Sequence, residues 1–281
     1  MEFVDTHCHL DFNKFDNDRT EVIQRSKAVG LTHILIPSIS IKSSRLVVKL
    51  ADIDPSLFAA IGVQPNDTLS WDEESINDLR GIFQSSTRFS SPGRKKIIAI
   101  GEIGLDYYWE IAPREQQKKA LRCQMELATE LEMPIILHLR EKLDAEHGEC
   151  ADDLLDIITS WVNDLKSTNN PLANHPGVLH SFSGNLNTAN EAIQLGFFIG
   201  VTGPITFTNA KERQKLISTL PLENLILETD SPFLTPQPKR GQRNEPANIP
   251  LVAAKVAELH HVTLAEVAEQ TSVNATRLFY W

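Results

Sequence analysis

Cysteine is scarce in this sequence: Cys8, Cys123 and Cys150 are the only three among 281 residues. An odd, scattered set builds no disulfide framework and fits a reducing compartment. Long apolar runs are missing too, since no stretch reaches the roughly eighteen residues that a membrane span requires. The opening Met1-Glu2-Phe3-Val4 does not read as a secretory leader, so the cytoplasm is the expected location. Positive charge is in deficit: 27 Lys and Arg stand against 37 Asp and Glu, a balance of −10. That argues against broad, non-specific adhesion to nucleic acid, which draws on lysine and arginine. A local phosphate site remains compatible, provided cations offset the nearby carboxylates. Repeats, linkers and low-complexity tracts are absent, and the expectation is a single domain over 1–281.

What is present is an alternation of short apolar runs with longer amphipathic stretches, the pattern of repeated βα units. The spacing predicts strands over 3–7, 32–38, 57–63, 96–102, 134–139, 177–181, 197–202 and 224–229. Helical patterns lie near 18–29, 43–52, 72–85, 113–132, 151–166, 187–195 and 209–219, followed by 249–259 and 263–280. Pro113 suits a first helical turn and Asp72 suits a cap. Eight strands with interleaved helices predict an α/β fold, a (β/α)8 TIM barrel whose site lies at the C-terminal ends of the strands. Ser85 to Arg94 and Ser167 to Pro176 read as surface insertions. The loop Glu141 to Cys150 reads either as another insertion or as a wall of the substrate cleft.

Residues able to ligate a metal fall at the predicted ends of strands one, four, five, six and eight. His7 and His9 are two apart, so a strand presents both rings on one face, beside Asp5. Imidazole suits zinc, manganese and other first-row ions. A lone His-x-His specifies little. Glu102, however, follows Ile97-Ile98-Ala99-Ile100-Gly101, an apolar strand that would not tolerate an unpaired carboxylate. His138 and His180 each terminate an apolar run, and Asp230 ends Leu225-Ile226-Leu227-Glu228-Thr229. In a parallel barrel all these ends converge on one rim.

The strings Asp5-Thr6-His7-Cys8-His9, Gly101-Glu102-Ile103-Gly104-Leu105-Asp106-Tyr107, His138-x-Arg140, His180-Ser181-Phe182-Ser183-Gly184 and Glu228-Thr229-Asp230-Ser231-Pro232 resemble the motifs of the TatD family of metal-dependent deoxyribonucleases. That family belongs to the amidohydrolase superfamily. The resemblance spans essentially the whole chain and continues into Arg243-Asn244-Glu245-Pro246 and Asn274-Ala275-Thr276. It implies a distorted barrel and divalent-cation-dependent hydrolysis of DNA, often from the 3′ end. It further implies two divalent ions, Mg, Mn or Zn. His7, His9 and Asp230 would hold one, His138 and His180 the other, and Glu102 would bridge them. Glu102 and Asp230 are then the catalytic pair, Asp230 lying near the nucleophilic water. One position departs from the family: the histidine usual after Gly-Val is Gln64 in Gly62-Val63-Gln64-Pro65. Glutamine exchanges hydrogen bonds but takes no proton near neutral pH.

Gln64, Arg140 and Arg243 are the expected substrate contacts. Arg140 shares the parity of His138, and Arg243 belongs to a basic cluster with Lys239 and Arg240 just past Asp230. Tyr107, Tyr108 and Trp109 follow Glu102 and could stack on an unpaired base. His33, His147, His175, His260 and His261 lack motif context and read as surface or packing residues, as do Cys8 and Cys123. DNA is the expected substrate, with RNA or tRNA as further candidates; no protein partner is implied and a monomer is expected. Two other readings compete. One keeps the metal barrel but hydrolyses an ester or amide, such as a D-amino acid on tRNA. The other is a binding protein on a barrel scaffold, which lost ligands would favour; none is lost.

Overall fold

The computed structural model describes residues 1–89, 96–109 and 111–281. Its strands are β1 (Phe3–Asp5), β2 (Leu31–Pro37), β3 (Leu57–Ile61), β4 (Ile97–Asp106), β5 (Ile135–Arg140), β6 (Gly177–Leu179), β7 (Phe198–Val201) and β8 (Leu225–Leu227). The helices are α1 (Arg19–Ala28), α2 (Ile41–Ala51), α3 (Ser75–Phe89), α4 (Arg114–Leu131), α5 (Glu149–Ser167), α6 (Leu186–Gln194), α7 (Lys211–Thr219), α8 (Ile249–His260) and α9 (Leu264–Phe279). All strand pairs are parallel and the sheet order follows the chain from β1 to β8. The result is the expected (β/α)8 barrel.

Residues from all eight strands (Val4, Leu35, Ala60, Ile98, Ala99, Ile136, Val178, Phe198 and Ile226) pack with Ala275, Leu278 and Phe279 of α9 into a core of their own. Outside β2 and β3 these positions sit within the first three residues of their strands, so α9 plugs the barrel from below. Two residues further along the same faces stand His138, His180 and Glu228. The apolar floor thus dictates which side chains line the rim. The larger core lies between barrel and helices.

Local chemistry explains several helix starts. Asp72 Oδ1 accepts the backbone N–H of Glu74 and Ser75 just ahead of α3. Ser40 and Thr263 build capping boxes on α2 and α9. Pro113 serves as the N-cap of α4. Several boundaries differ from the sequence expectation. Helix α3 runs on to Phe89, so the anticipated loop at Ser85 is helical; Ser90 to Arg94 fall outside the described residues. Strands β1 and β8 are shorter than predicted because their C-terminal extensions leave the regular ladder to close the barrel. There, Thr6 N–H donates to Leu227 O at 3.1 Å, Asp230 N–H to His7 O at 2.8 Å and His9 N–H to Ser231 O at 2.8 Å. Of the two expected surface insertions and the ambiguous loop, Ser167 to Pro176 holds a short 3-10 turn. Asp144 and Glu146 of the Glu141–Cys150 loop line a cleft of ≈ 980 Å³ shared with Phe182 and Arg213.

Candidate metal centre

His7 and His9 lie just past β1, in an extended segment whose Cys8 bridges Ser231 in parallel fashion. Their side chains converge: the two Nε2 atoms are 3.3 Å apart. His7 Nε2 is 3.5 Å from Glu102 Oε2 and 3.7 Å from Asp230 Oδ1. His9 Nε2 is 3.7 Å and 3.5 Å from the same two oxygens. Donors about 2.1 Å from a first-row ion stand about 3.4 Å apart at tetrahedral corners. This cage therefore needs to tighten by only a few tenths of an ångström to hold one, and the donor set fits a divalent cation.

Glu102 lies within β4 rather than at its end, since the strand continues to Asp106. Its other oxygen, Oε1, is 2.7 Å from His138 Nδ1 and 3.6 Å from His180 Nε2. One carboxylate thus faces a different histidine pair with each oxygen. The His7 and His180 rings stack at 3.7 Å between centroids, which joins the two halves. All six predicted donors meet in one cluster, four of them buried and His138 and Asp230 partly exposed.

Electrostatics follow from that crowding. Burial alone would push Glu102 up, but the charge of His180 and the hydrogen bond from His138 hold it well below the carboxylate range. Asp230 is lowered despite its burial, chiefly by its bond from His9 and by the His180 charge. Burial would lower His9 and His138, yet their carboxylate partners win. Asp230 raises His9 to about 9, and Asp106 with Glu102 raises His138 to about 10. His7 goes the other way, lowered by burial and by the neighbouring His180.

Sequence reasoning missed Asp106 and Glu228 of an outer ring of acids to which Asp5 also belongs. Asp106 Oδ2 lies 3.0 Å from His138 Nε2 and accepts from Asn66 Nδ2 at 3.0 Å, while Oδ1 accepts the backbone N–H of Tyr108 and Trp109. Glu228 is fully buried, 3.4 Å from His180 Nδ1, and accepts Ser181 N–H at 2.7 Å. Asp5 accepts the N–H and hydroxyl of Thr229, the neighbour of Asp230. The usable signal was the argument already applied to Glu102: a carboxylate in an apolar strand requires a partner. Two glycines make room for this ring. A Cβ at Gly200 would lie 2.4 Å from the Glu228 carboxylate, and one at Gly104 (φ +143°) would lie 2.1 Å from His138 O. Ser181 and Asp230 adopt left-handed backbone at φ 44° and 54°. Such conformations cost roughly 1 kcal/mol or more at non-glycine residues, and they persist where the surroundings enforce them.

The expected substrate contacts divide. Arg140 sits at the rim with its guanidinium over the Tyr108 ring at 3.9 Å and its Nε donating to Asp144 at 2.9 Å. Gln64 caps a 3-10 turn after β3 and donates its amide to Asp67 Oδ2 at 2.7 Å. Arg243 is engaged elsewhere: its terminal nitrogens donate to Asp18, Glu245 and Lys14 O, forming a network with Arg25. That geometry ties the loop after β8 to the start of α1. Lys239 donates to Asn248, and Arg240 covers Phe207. The five histidines without motif context lie apart; His33, for instance, stacks on Phe58 and Trp281. Tyr107 is buried, its hydroxyl bonded to Asp153, and is unavailable for stacking.

Comparison with known proteins shows the family of the chain. Residues 4–280 match the family described as TatD related DNase. The chain belongs to the TatD family. A Bacillus subtilis protein named uncharacterized metal-dependent hydrolase YabD is 36% identical over 98% of each chain. The 3′-5′ ssDNA/RNA exonuclease TatD of Erwinia tasmaniensis is 32% identical, again over 98% of each. Among solved structures, the TatD homologue YjjV of Escherichia coli K12 superposes with a TM-score of 0.85 at 32% identity, covering 99% of this chain and 98% of that one. The protein is thus a metal-dependent hydrolase of this family. Among the described residues no helix is long and apolar enough to cross a membrane.

Proposed function

We propose that the chain is a two-ion deoxyribonuclease that degrades single-stranded DNA from its 3′ end. The observation that carries the two-ion reading is Glu102, whose oxygens address different histidine pairs at 2.7–3.7 Å. His7, His9 and Asp230 would hold one cation, His138 and His180 the other, and Glu102 would serve both. Magnesium, manganese and zinc all suit such a mixed set. When bound, such a pair neutralises the phosphate and makes the attacking water more acidic. The choice of DNA rests on the family description, and the direction of attack on the name of the Erwinia relative.

The remaining steps fall to the chain itself. Asp230 is held ionised and is the least buried of the cluster carboxylates, with 16% of its side chain exposed against 4% for Glu102. It is therefore placed to accept a proton from the incoming water. Glu102, ionised among histidines and nearly inaccessible, keeps the two halves in register. Arg140 presents a planar fork suited to a phosphate oxygen on the rim. Gln64 supplies a neutral hydrogen bond where a histidine would add charge.

The test uses protein stripped with chelator, then supplied with magnesium, manganese or zinc, on end-labelled single-stranded DNA. Metal-dependent laddering from the 3′ end is expected. Glu102→Ala and Asp230→Asn should abolish it while the circular dichroism spectrum is preserved. Turnover of an aminoacyl ester with intact DNA would replace the nuclease by the esterase reading.

A further inference from the structure

Two aromatic shelves flank the centre on opposite sides of Glu102. On the His138 side, Tyr108 and Trp109 meet edge to face at 4.9 Å, and Arg140 lies 3.9 Å from the Tyr108 ring and 5.5 Å from that of Trp109. On the His9 side, Phe12 stacks on the His9 ring at 4.8 Å, Phe233 meets Phe12 at 5.8 Å, and Lys14 Nζ stands 5.0 Å over Phe233. Trp109 and Phe233 are 57% and 43% exposed. A single exposed ring needs no explanation. Here the two share a design: exposed aromatic, adjacent cation, and a backbone bond to the centre. Tyr108 and Trp109 donate to Asp106 Oδ1, which also serves His138. Phe12 donates to His9 O, and Phe233 to Asp230 O. The backbone of each shelf is thus tied to residues of the cluster. Flat apolar faces beside cations match a polymer of flat bases joined by phosphates, and stacking accepts any base.

We propose that these shelves hold the two nucleobases on either side of the scissile phosphate, with Arg140 and Lys14 on the neighbouring phosphates. This rests on the nuclease reading above and extends it from the reacting phosphate to the bases around it. Bases so engaged are unpaired, because a paired base offers its faces to its own stack.

The experiment compares Trp109→Ala and Phe233→Ala with wild type on three substrates: a single-stranded oligonucleotide, the same strand with an abasic terminal or penultimate sugar, and a small diester joining two abasic deoxyribose units. Each variant should lose about tenfold more in kcat/KM on the full oligonucleotide than on the small diester, as expected for the loss of one stacked base. Each abasic strand should be insensitive to one of the two variants. Trp109 is the exposed member of the four tryptophans, so oligonucleotide binding should also quench fluorescence, and Trp109→Phe should remove that quench. Cleavage by wild type with equal losses on all substrates overturns the shelves and leaves the nuclease standing. Quenching through Trp109 without DNA cleavage supports the shelf and overturns the nuclease. Neither cleavage nor quenching overturns both.

Discussion

Asp106 receives the far nitrogen of His138 at 3.0 Å, while the near nitrogen of that ring addresses Glu102 at 2.7 Å. The imidazole is thus clamped between two carboxylates, so its orientation is set before any ion arrives. Partners of this kind usually account for 10–100-fold in metal affinity. Asp106→Ala is therefore expected to weaken binding of the second ion by a factor in that range. Isothermal titration of chelated protein, read for stoichiometry as well as affinity, checks it: the first ion should bind as in wild type. Two unchanged sites would show that the clamp does nothing for the metal.

The same pairing fixes a pH dependence. In the metal-free protein His9 and His138 keep their protons to about pH 9 and about 10, against an ordinary 6.5. Their folded values exceed their unfolded ones, so this contribution to stability is complete below about pH 6.5 and drains away as the pH climbs through 9 to 10. Chelated protein should melt at progressively lower temperature across that window, and metal-loaded protein should not. Ion uptake must also expel these protons, so affinity should strengthen with rising pH. Binding enthalpies measured in buffers of different ionisation heat will report the released protons. A count of zero at pH 7 would contradict the assignment.

Gln64 offers a gain-of-function test. Its amide already donates to Asp67, so an imidazole there would have a carboxylate to hold its proton. Gln64→His should lower KM for oligonucleotides several-fold near pH 6, an advantage that fades as the ring deprotonates. A KM ratio independent of pH would mean that the position does not sense the phosphate.

Stability can be probed at the opposite end of the barrel. Buried Asn274 donates its amide to the carbonyls of Leu222 and Leu225, fastening α9 beneath β8. Asn274→Ala leaves both acceptors unpaired and should cost about 2–4 kcal/mol, read from the urea midpoint. Metal content per folded molecule should not change, because the plug and the rim are separate layers.

The barrel and the convergence of the six candidate ligands were legible because both rest on strong signals. Apolar runs of strand length recur eight times, and a buried carboxylate or histidine at a strand end announces a partner. The outer acids were harder to see. Glu228 stands inside the run that ends at Asp230, and Asp106 lies inside a motif whose Glu102 drew the attention; only folding reveals which nitrogen each one faces. Arg243 illustrates a different limit. Its partner Asp18 lies 225 positions away, a separation at which charge pairing leaves no trace in sequence spacing. The ends of β1 and β8 were overextended for a related reason: their ladder bonds are made to each other, across the full length of the chain.

That seam has a consequence for biosynthesis. The backbone groups that lock the first two histidines in place belong to residues 227–231, made more than two hundred codons after them. A nascent or truncated polypeptide therefore lacks a finished reaction centre however much of the barrel it has folded. Hydrolytic competence arrives only when the cylinder shuts.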